Sequence, residues 1–168
     1  GQTICLGKYE VTQAQWKLLM GSNPSDFVGD NFPVEKVSWK DAQEFVEKLN
    51  AGKDGFKYRL PTDAEWEYAC RAGTTGLYYG NLDEIGWHKR NSGNHPHAVG
   101  GKLPNAFGLY DMSGNVSEWV QDWYDEKAWD RGLRGGSWND LTQKLRSGNK
   151  SGIFYYGRRN YIGFRVAV

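Results

Sequence analysis

The sequence predicts one α+β domain with much of its length in ordered loop. Three observations carry this. The first half holds three helix starts of one design, a Ser or Thr followed three residues on by Gln, Asp or Glu, the pattern of a capping box. Residues 162–168 (IGFRVAV) alternate and are rich in β-formers, as a strand does. Finally, 22 glycines, 8 tryptophans and 10 tyrosines imply irregular backbone around a core of large rings that hydrogen-bond at their polar edges.

At 168 residues the chain fits a single domain, 1–168. A net charge of +1 gives no electrostatic footprint for nucleic acid. No apolar run reaches the length of a membrane span. Cys5 and Cys70 are too few for a disulfide scaffold; one bridge and two free thiols are both open. The chain opens on a strand-like stretch with no leader pattern, so a trimmed domain is expected. Its compartment stays open, with a secreted or cell-surface setting as the expectation.

Taken in order, residues 4–11 (ICLGKYEV) read as an opening strand. Thr12 caps a first helix, with Gln15 closing the box, Trp16, Leu19 and Met20 as its apolar face and Gly21 as its stop. Ser38 caps a second, with Asp41 at the third position and Ala42, Phe45, Val46 and Leu49 at i, i+3, i+4, i+7. Residues 57–60 form a short strand ended by Pro61. Thr62 with Glu65 then caps a third helix running through Trp66, Tyr68, Ala69 and Cys70 to Gly73. From 74 to 105 periodicity disappears and the chain reads as surface loop, with 77–79 and 98–99 as short extended pieces.

Residues 108–124 (GLYDMSGNVSEWVQDWY) read as the junction of the fold, with the segment from Leu133 to the end packed against it. Ser113-Gly114-Asn115 is a tight turn, since Gly and Asn tolerate left-handed backbone. Five tryptophans, Trp66, Trp87, Trp119, Trp123 and Trp138, admit two readings, a stacking platform or core; core packing is expected for the first four. His88, His95 and His97 lack an accompanying cysteine or carboxylate cluster and read as surface-loop residues. No serine has a histidine at a nucleophile's spacing.

Five blocks, at 7–16 (GKYEVTQAQW), 58–73 (YRLPTDAEWEYACRAG), 108–123 (GLYDMSGNVSEWVQDW), 133–138 (LRGGSW) and 162–166 (IGFRV), occur in an order that resembles the formylglycine-generating-enzyme, or sulfatase-modifying-factor, family. The resemblance implies a C-type-lectin-like fold, a small twisted antiparallel sheet with two or three helices and extensive ordered loops. It also implies an oxidase cysteine pair after the GGS block, holding copper through soft thiolates. Those positions fall at about Asp140 and Leu145, so neither thiolate nor copper is expected. A calcium ion is implied at Ser113, Gly114, Val116 and Glu118, with oxygen ligands. The alternative is that Glu118 pairs with Arg134 or Arg165.

The segment 138–161 is rich in Tyr, Ser, Gly, Asn and Arg, the composition of adaptable binding surfaces. It also resembles the diversified segment of the variable proteins of diversity-generating retroelements, which lies between a GGSW-like and an IGFR-like block. Residues 151–162 contain no Lys, Gln, Glu, Met or Trp, as adenine-directed diversification of asparagine codons requires; Gln143, Lys144 and Lys150 would then be fixed scaffold. The expected function is a non-enzymatic binding module, its face formed by Trp138, Asn139, Asp140, Leu141 and Thr142 with Ser151, Gly152, Ile153, Phe154, Tyr155, Tyr156, Arg158, Asn160 and Tyr161. The alternative for this stretch is a strand and turn of the core sheet, with Phe154 and Tyr156 pointing in. A protein ligand is expected over a carbohydrate, because calcium-dependent sugar triplets are missing. A family enzyme with other metal chemistry and a structural envelope domain are the alternatives.

Overall fold

A computed structural model of the chain describes residues 3–168. All three capping boxes form. Helix α1 spans Gln13–Met20, α2 Trp39–Ala51 and α3 Asp63–Arg71, and in each the cap hydroxyl accepts from the third helical amide while that residue's side chain accepts from the cap amide. Each box satisfies two donors that helix geometry leaves over. A one-turn helix, α4 (Leu82–Ile85), interrupts the long loop.

The sheet has four strands, β1 (Ser117–Asp125), β2 (Asp130–Arg134), β3 (Lys150–Phe154) and β4 (Ile162–Gly163), in the order β3-β2-β1-β4. It is mixed rather than antiparallel: β1–β2 and β2–β3 are antiparallel, but β4 runs parallel to β1, with Ser117 opposite Ile162. The closing strand is shorter than its sequence predicts. After Gly163 the chain leaves the sheet and pairs elsewhere, Val166 O and Phe164 O accepting from the amides of Gly7 and Val11. Residues 4–11 therefore make single contacts, not a regular strand; Leu6 and Arg59 each form an isolated bridge to Ala167. The predicted strand at 57–60 is reduced to that one bridge.

Two cores flank the sheet. One joins Val11, Trp16, Phe45, Trp119, Ile162 and Phe164, with the Trp16 and Phe45 rings stacked at 5.4 Å and both meeting Phe164 edge-on. The other seats α3 on Met112 and Val120 through Trp66, Ala69 and Cys70. Several ring edges are satisfied as the composition implied: Trp119 Nε1 donates to Val37 O at 3.0 Å and Trp39 Nε1 to Val120 O at 3.1 Å, whereas Trp87 Nε1 and Tyr79 Oη are buried without a partner among the described residues.

Residues 111–120 are buried throughout and form the junction. Its turn requires Gly114, whose φ is 88° and whose missing Cβ would meet Trp87 O at 2.1 Å. Behind the turn lies the fully buried pair Glu118–Arg165. Arg165 donates to both Glu118 oxygens, at 2.7 and 2.9 Å, and to the carbonyls of Gly7 and Tyr110 at 3.0 and 2.7 Å. One guanidinium thus joins the opening segment, the junction, β1 and the closing segment. Of the two partners open to Glu118, the structure selects Arg165. Arg134 instead anchors β2 to α3, through Asp63 and Glu67. Among the described residues no helix is long and apolar enough to cross a membrane.

Candidate functional site

β2 leaves the sheet through Gly135 and Gly136, both at positive φ, which turn the chain sharply into Ser137. The Ser137 hydroxyl donates to Asp140 Oδ2 at 2.9 Å and accepts from the Asn139 amide at 3.2 Å. A 3-10 turn, Thr142–Leu145, follows, and buries Leu145 completely. The chain then returns as β3, the outer strand of the sheet.

These segments enclose a cavity of about 190 Å³ lined by Asp140, Lys144, Ser151, Ile153, Tyr161 and Arg134, among others. Five of the residues expected in a binding face, Asp140, Ser151, Gly152, Ile153 and Tyr161, line it. Asn139 and Leu141 are exposed beside it, and Thr142 O accepts from Tyr78 Oη at 2.8 Å. Trp138 lies inside the fold: it is 6% exposed, its Nε1 donates to Asn160 O, and it meets Phe27 edge-on. Arg158 is committed to Asp41 by two hydrogen bonds of 2.7 and 2.9 Å, which pin the 155–161 loop to α2.

Phe154, Tyr155 and Tyr156 form a ring cluster, with Tyr155 and Tyr156 4.3 Å apart. Sequence reading missed what they join. Tyr155 packs on Trp39, Trp123 and Trp129 at 6.2–6.5 Å, and the Arg131 guanidinium sits between Trp39 and Trp123, 3.9 and 3.5 Å from their centroids. Trp123 is half-buried in this cluster. Trp66 and Trp119 are core, as expected, and Trp87 is half-buried.

The histidines do not share a surface loop. His88 is buried and meets Asp83 at 2.7 Å, a contact the sequence spacing did not signal. His97 stacks on Trp87 at 3.7 Å and lies 4.3 Å from His95. Burial lowers the His97 pKa. Among the described residues no three His, Cys, Asp or Glu side chains converge to hold a metal ion.

Ser113, Gly114, Val116 and Glu118 are brought together in the junction, all buried. Glu118 does not offer calcium a free carboxylate, since Trp66 Nε1 and Arg165 donate to it. Among the described residues the buried carboxylate oxygen without a partner is Asp111 Oδ1, in the same junction. Its neighbour Glu10 accepts from Asn115 Nδ2 and the Val116 amide. Three carboxylates therefore share one guanidinium. Burial, and then the charges of Asp111 and Glu118, push the Glu10 pKa well up; burial pushes Asp111 up to about 6.

Both cysteines are free. Cys5 is exposed, whereas Cys70 is on the buried face of α3, its Sγ 3.6 Å from Met112 O and from Ser147 Oγ, and burial pushes its thiol up to about 12.

With this geometry in view, the chain was compared with known proteins. The sulfatase-modifying factor enzyme 1-like domain family matches residues 2–168. The chaperone protein LppX of Paenibacillus barcinonensis is 35% identical over 91% of this chain and 73% of its own length. The formylglycine-generating enzyme of Streptomyces coelicolor is 40% identical over 68% of this chain, which spans only 40% of that enzyme. Among solved structures, Treponema denticola variable protein 1 superposes with a TM-score of 0.92 at 30% identity, covering 98% of this chain and 84% of the other. Its fold is C-type-lectin-like, and so is the fold described here.

Asp111 and Glu35, both near 6 through burial, bind protons more readily folded than unfolded, so the stability they contribute is highest in acid and is lost as pH rises through 6. Asp111→Asn keeps an acceptor for the Gly100 amide, which the Oδ2 of Asp111 now serves. In thermal melts in EDTA, this variant is expected to be more stable than the parent at pH 7 by about 1–3 kcal/mol, and nearly equal to it at pH 4. Equal shifts at both pH values would contradict a charged, desolvated Asp111.

Proposed function

The chain belongs to the sulfatase-modifying factor enzyme 1-like family, and we propose that it works there as a non-enzymatic ligand-binding module whose partner is a protein. The observation that carries this reading is what occupies the two oxidase positions. Asp140 is held by the Ser137 hydroxyl and Leu145 is packed out of reach of solvent. Neither supplies the soft sulfur that Cu(I) requires. Cys70 cannot substitute, since its thiol is buried and held protonated. The cavity at this place keeps its walls without the thiols and remains open to a ligand.

Similarity to a variable protein supports the same reading from the other side. The 138–161 segment would be the place where residues change while the scaffold stays fixed. Asn139, Leu141, Phe154 and Tyr156 are exposed and carry no fold-determining hydrogen bond from their side chains. Replacing all four with serine is expected to leave the melting temperature within about 8 °C of the parent, because surface changes are usually within ±0.5 kcal/mol each. The parent is also expected to form no aldehyde from a cysteine peptide supplied with copper and dioxygen. A fall of more than about 10 °C would mean the segment is structural, and stoichiometric aldehyde would make the chain an enzyme.

We propose calcium as a ligand of the junction through Asp111 rather than Glu118. A cation there would relieve the excess of buried carboxylates over Arg165. Calcium should then raise the melting temperature of the parent by mass action and leave that of Asp111→Asn unchanged. No rise in the parent removes calcium from the site.

A further inference from the structure

The aromatic cluster beside the cavity has a charged border that narrows the kind of partner it fits. Its inner layer is filled: Arg131 occupies the space between Trp39 and Trp123. Its outer layer is open, with Trp129 57% exposed and Phe154 and Tyr156 each 49% exposed. The strand register sets Asp125 opposite Asp130, and Asp130 opposite Phe154. Asp125 and Asp130 are thus cross-strand neighbours at the end of β1 and β2, in line with an exposed ring on β3. Like charges directly opposed across strands are destabilising.

No direct ion pair holds them among the described residues. Asp125 Oδ1 accepts from the Lys127 and Ala128 amides, and neither Asp125, Glu126 nor Asp130 forms an ion pair among the described residues. The cations nearby are Lys127, which makes no salt bridge, Arg131, which is held between Trp39 and Trp123 in the field of Asp122 and Glu126, Arg158, which is committed to Asp41, and Arg159, which donates to Arg158 O. Ring faces carry negative electrostatic potential and attract Lys and Arg. Exposed rings and unpaired carboxylates on one border therefore attract the same kind of group.

Building on the binding-module reading, we propose that this face receives a lysine- or arginine-bearing segment of a protein partner. Its cationic side chains would lie on Trp129, Phe154 and Tyr156, with their charge shared by Asp125, Glu126 and Asp130. A neutral sugar could stack on the same rings, but would leave Asp125, Glu126 and Asp130 without a charge partner.

The test is a titration of the full chain with octalysine at low salt, followed by tryptophan emission and by the Trp129 indole NMR signal. A saturable response is expected, with none from octaglutamate. Affinity should fall about tenfold or more in Glu126→Gln/Asp130→Asn and in Trp129→Ala. It should hold in the control Glu47→Gln/Glu84→Gln, whose carboxylates lie on α2 and α4, and weaken between about 20 and 200 mM NaCl. No saturable response, or one that survives Glu126→Gln/Asp130→Asn, overturns the proposal. If octalysine is silent while an uncharged peptide or oligosaccharide moves the Trp129 signal, the cationic partner is wrong and the binding face stands. If the four-serine variant also proves unstable, the binding face falls with it.

Discussion

Arg165 is the side chain on which the remaining structure depends. The sheet is small and β4 contributes only two residues to it, so backbone pairing alone does not hold the closing segment. Its position is reinforced by one buried guanidinium that reaches Glu118 on β1 and the carbonyls of Gly7 and Tyr110. Burying a charge this deeply is costly unless every donor is used, and here the donors are distributed over segments whose backbone pairing is short and scattered. That is how so loop-rich a chain has one definite arrangement.

The same junction carries an excess of negative charge. Glu10 and Asp111 sit within reach of the field of Glu118, and a single arginine compensates all three. Protonation of Glu10 or Asp111 relieves the surplus, so junction stability is tied to pH. The proposed binding face stands apart from this. Its rings rest on the far end of β1–β3 and on α2, where Arg131 and Arg158 replace the junction's arginine as the local ties. A rigid centre and an independently supported rim allow the rim to vary while the centre stays intact.

Much of this was legible in the sequence, and the gaps have physical causes. Helix starts could be read because a capping box is local: Thr12–Gln15, Ser38–Asp41 and Thr62–Glu65 announce themselves within four residues. The junction was legible from Gly114 and Asn115, whose positive φ angles the turn needs. β1 was hidden because its first four residues are all buried, so the alternation that marks a half-exposed strand is missing. The parallel direction of β4 depends on a partner more than forty residues away, and no local pattern encodes it. Tyr155 and Tyr156 were visible as candidates from composition, whereas Trp129 and Arg131 join them only through the β2–β3 register. Trp138 looked like an anchor by residue type, but its neighbour Phe27 comes from a distant turn that takes it into the interior.

The most direct test of the central tie is urea unfolding at pH 7 of Arg165→Met beside Arg165→Lys. The methionine variant leaves Glu118 buried with only Trp66 Nε1 donating to it, and the carbonyls of Gly7 and Tyr110 without their guanidinium donor, so a loss of about 3–5 kcal/mol is expected. Lysine keeps the charge but lacks the planar fork that serves several acceptors at once, and should recover only part of that loss. If Arg165→Met unfolds within about 1 kcal/mol of the parent, which is ordinary for a point change, then Arg165 does not hold the fold together.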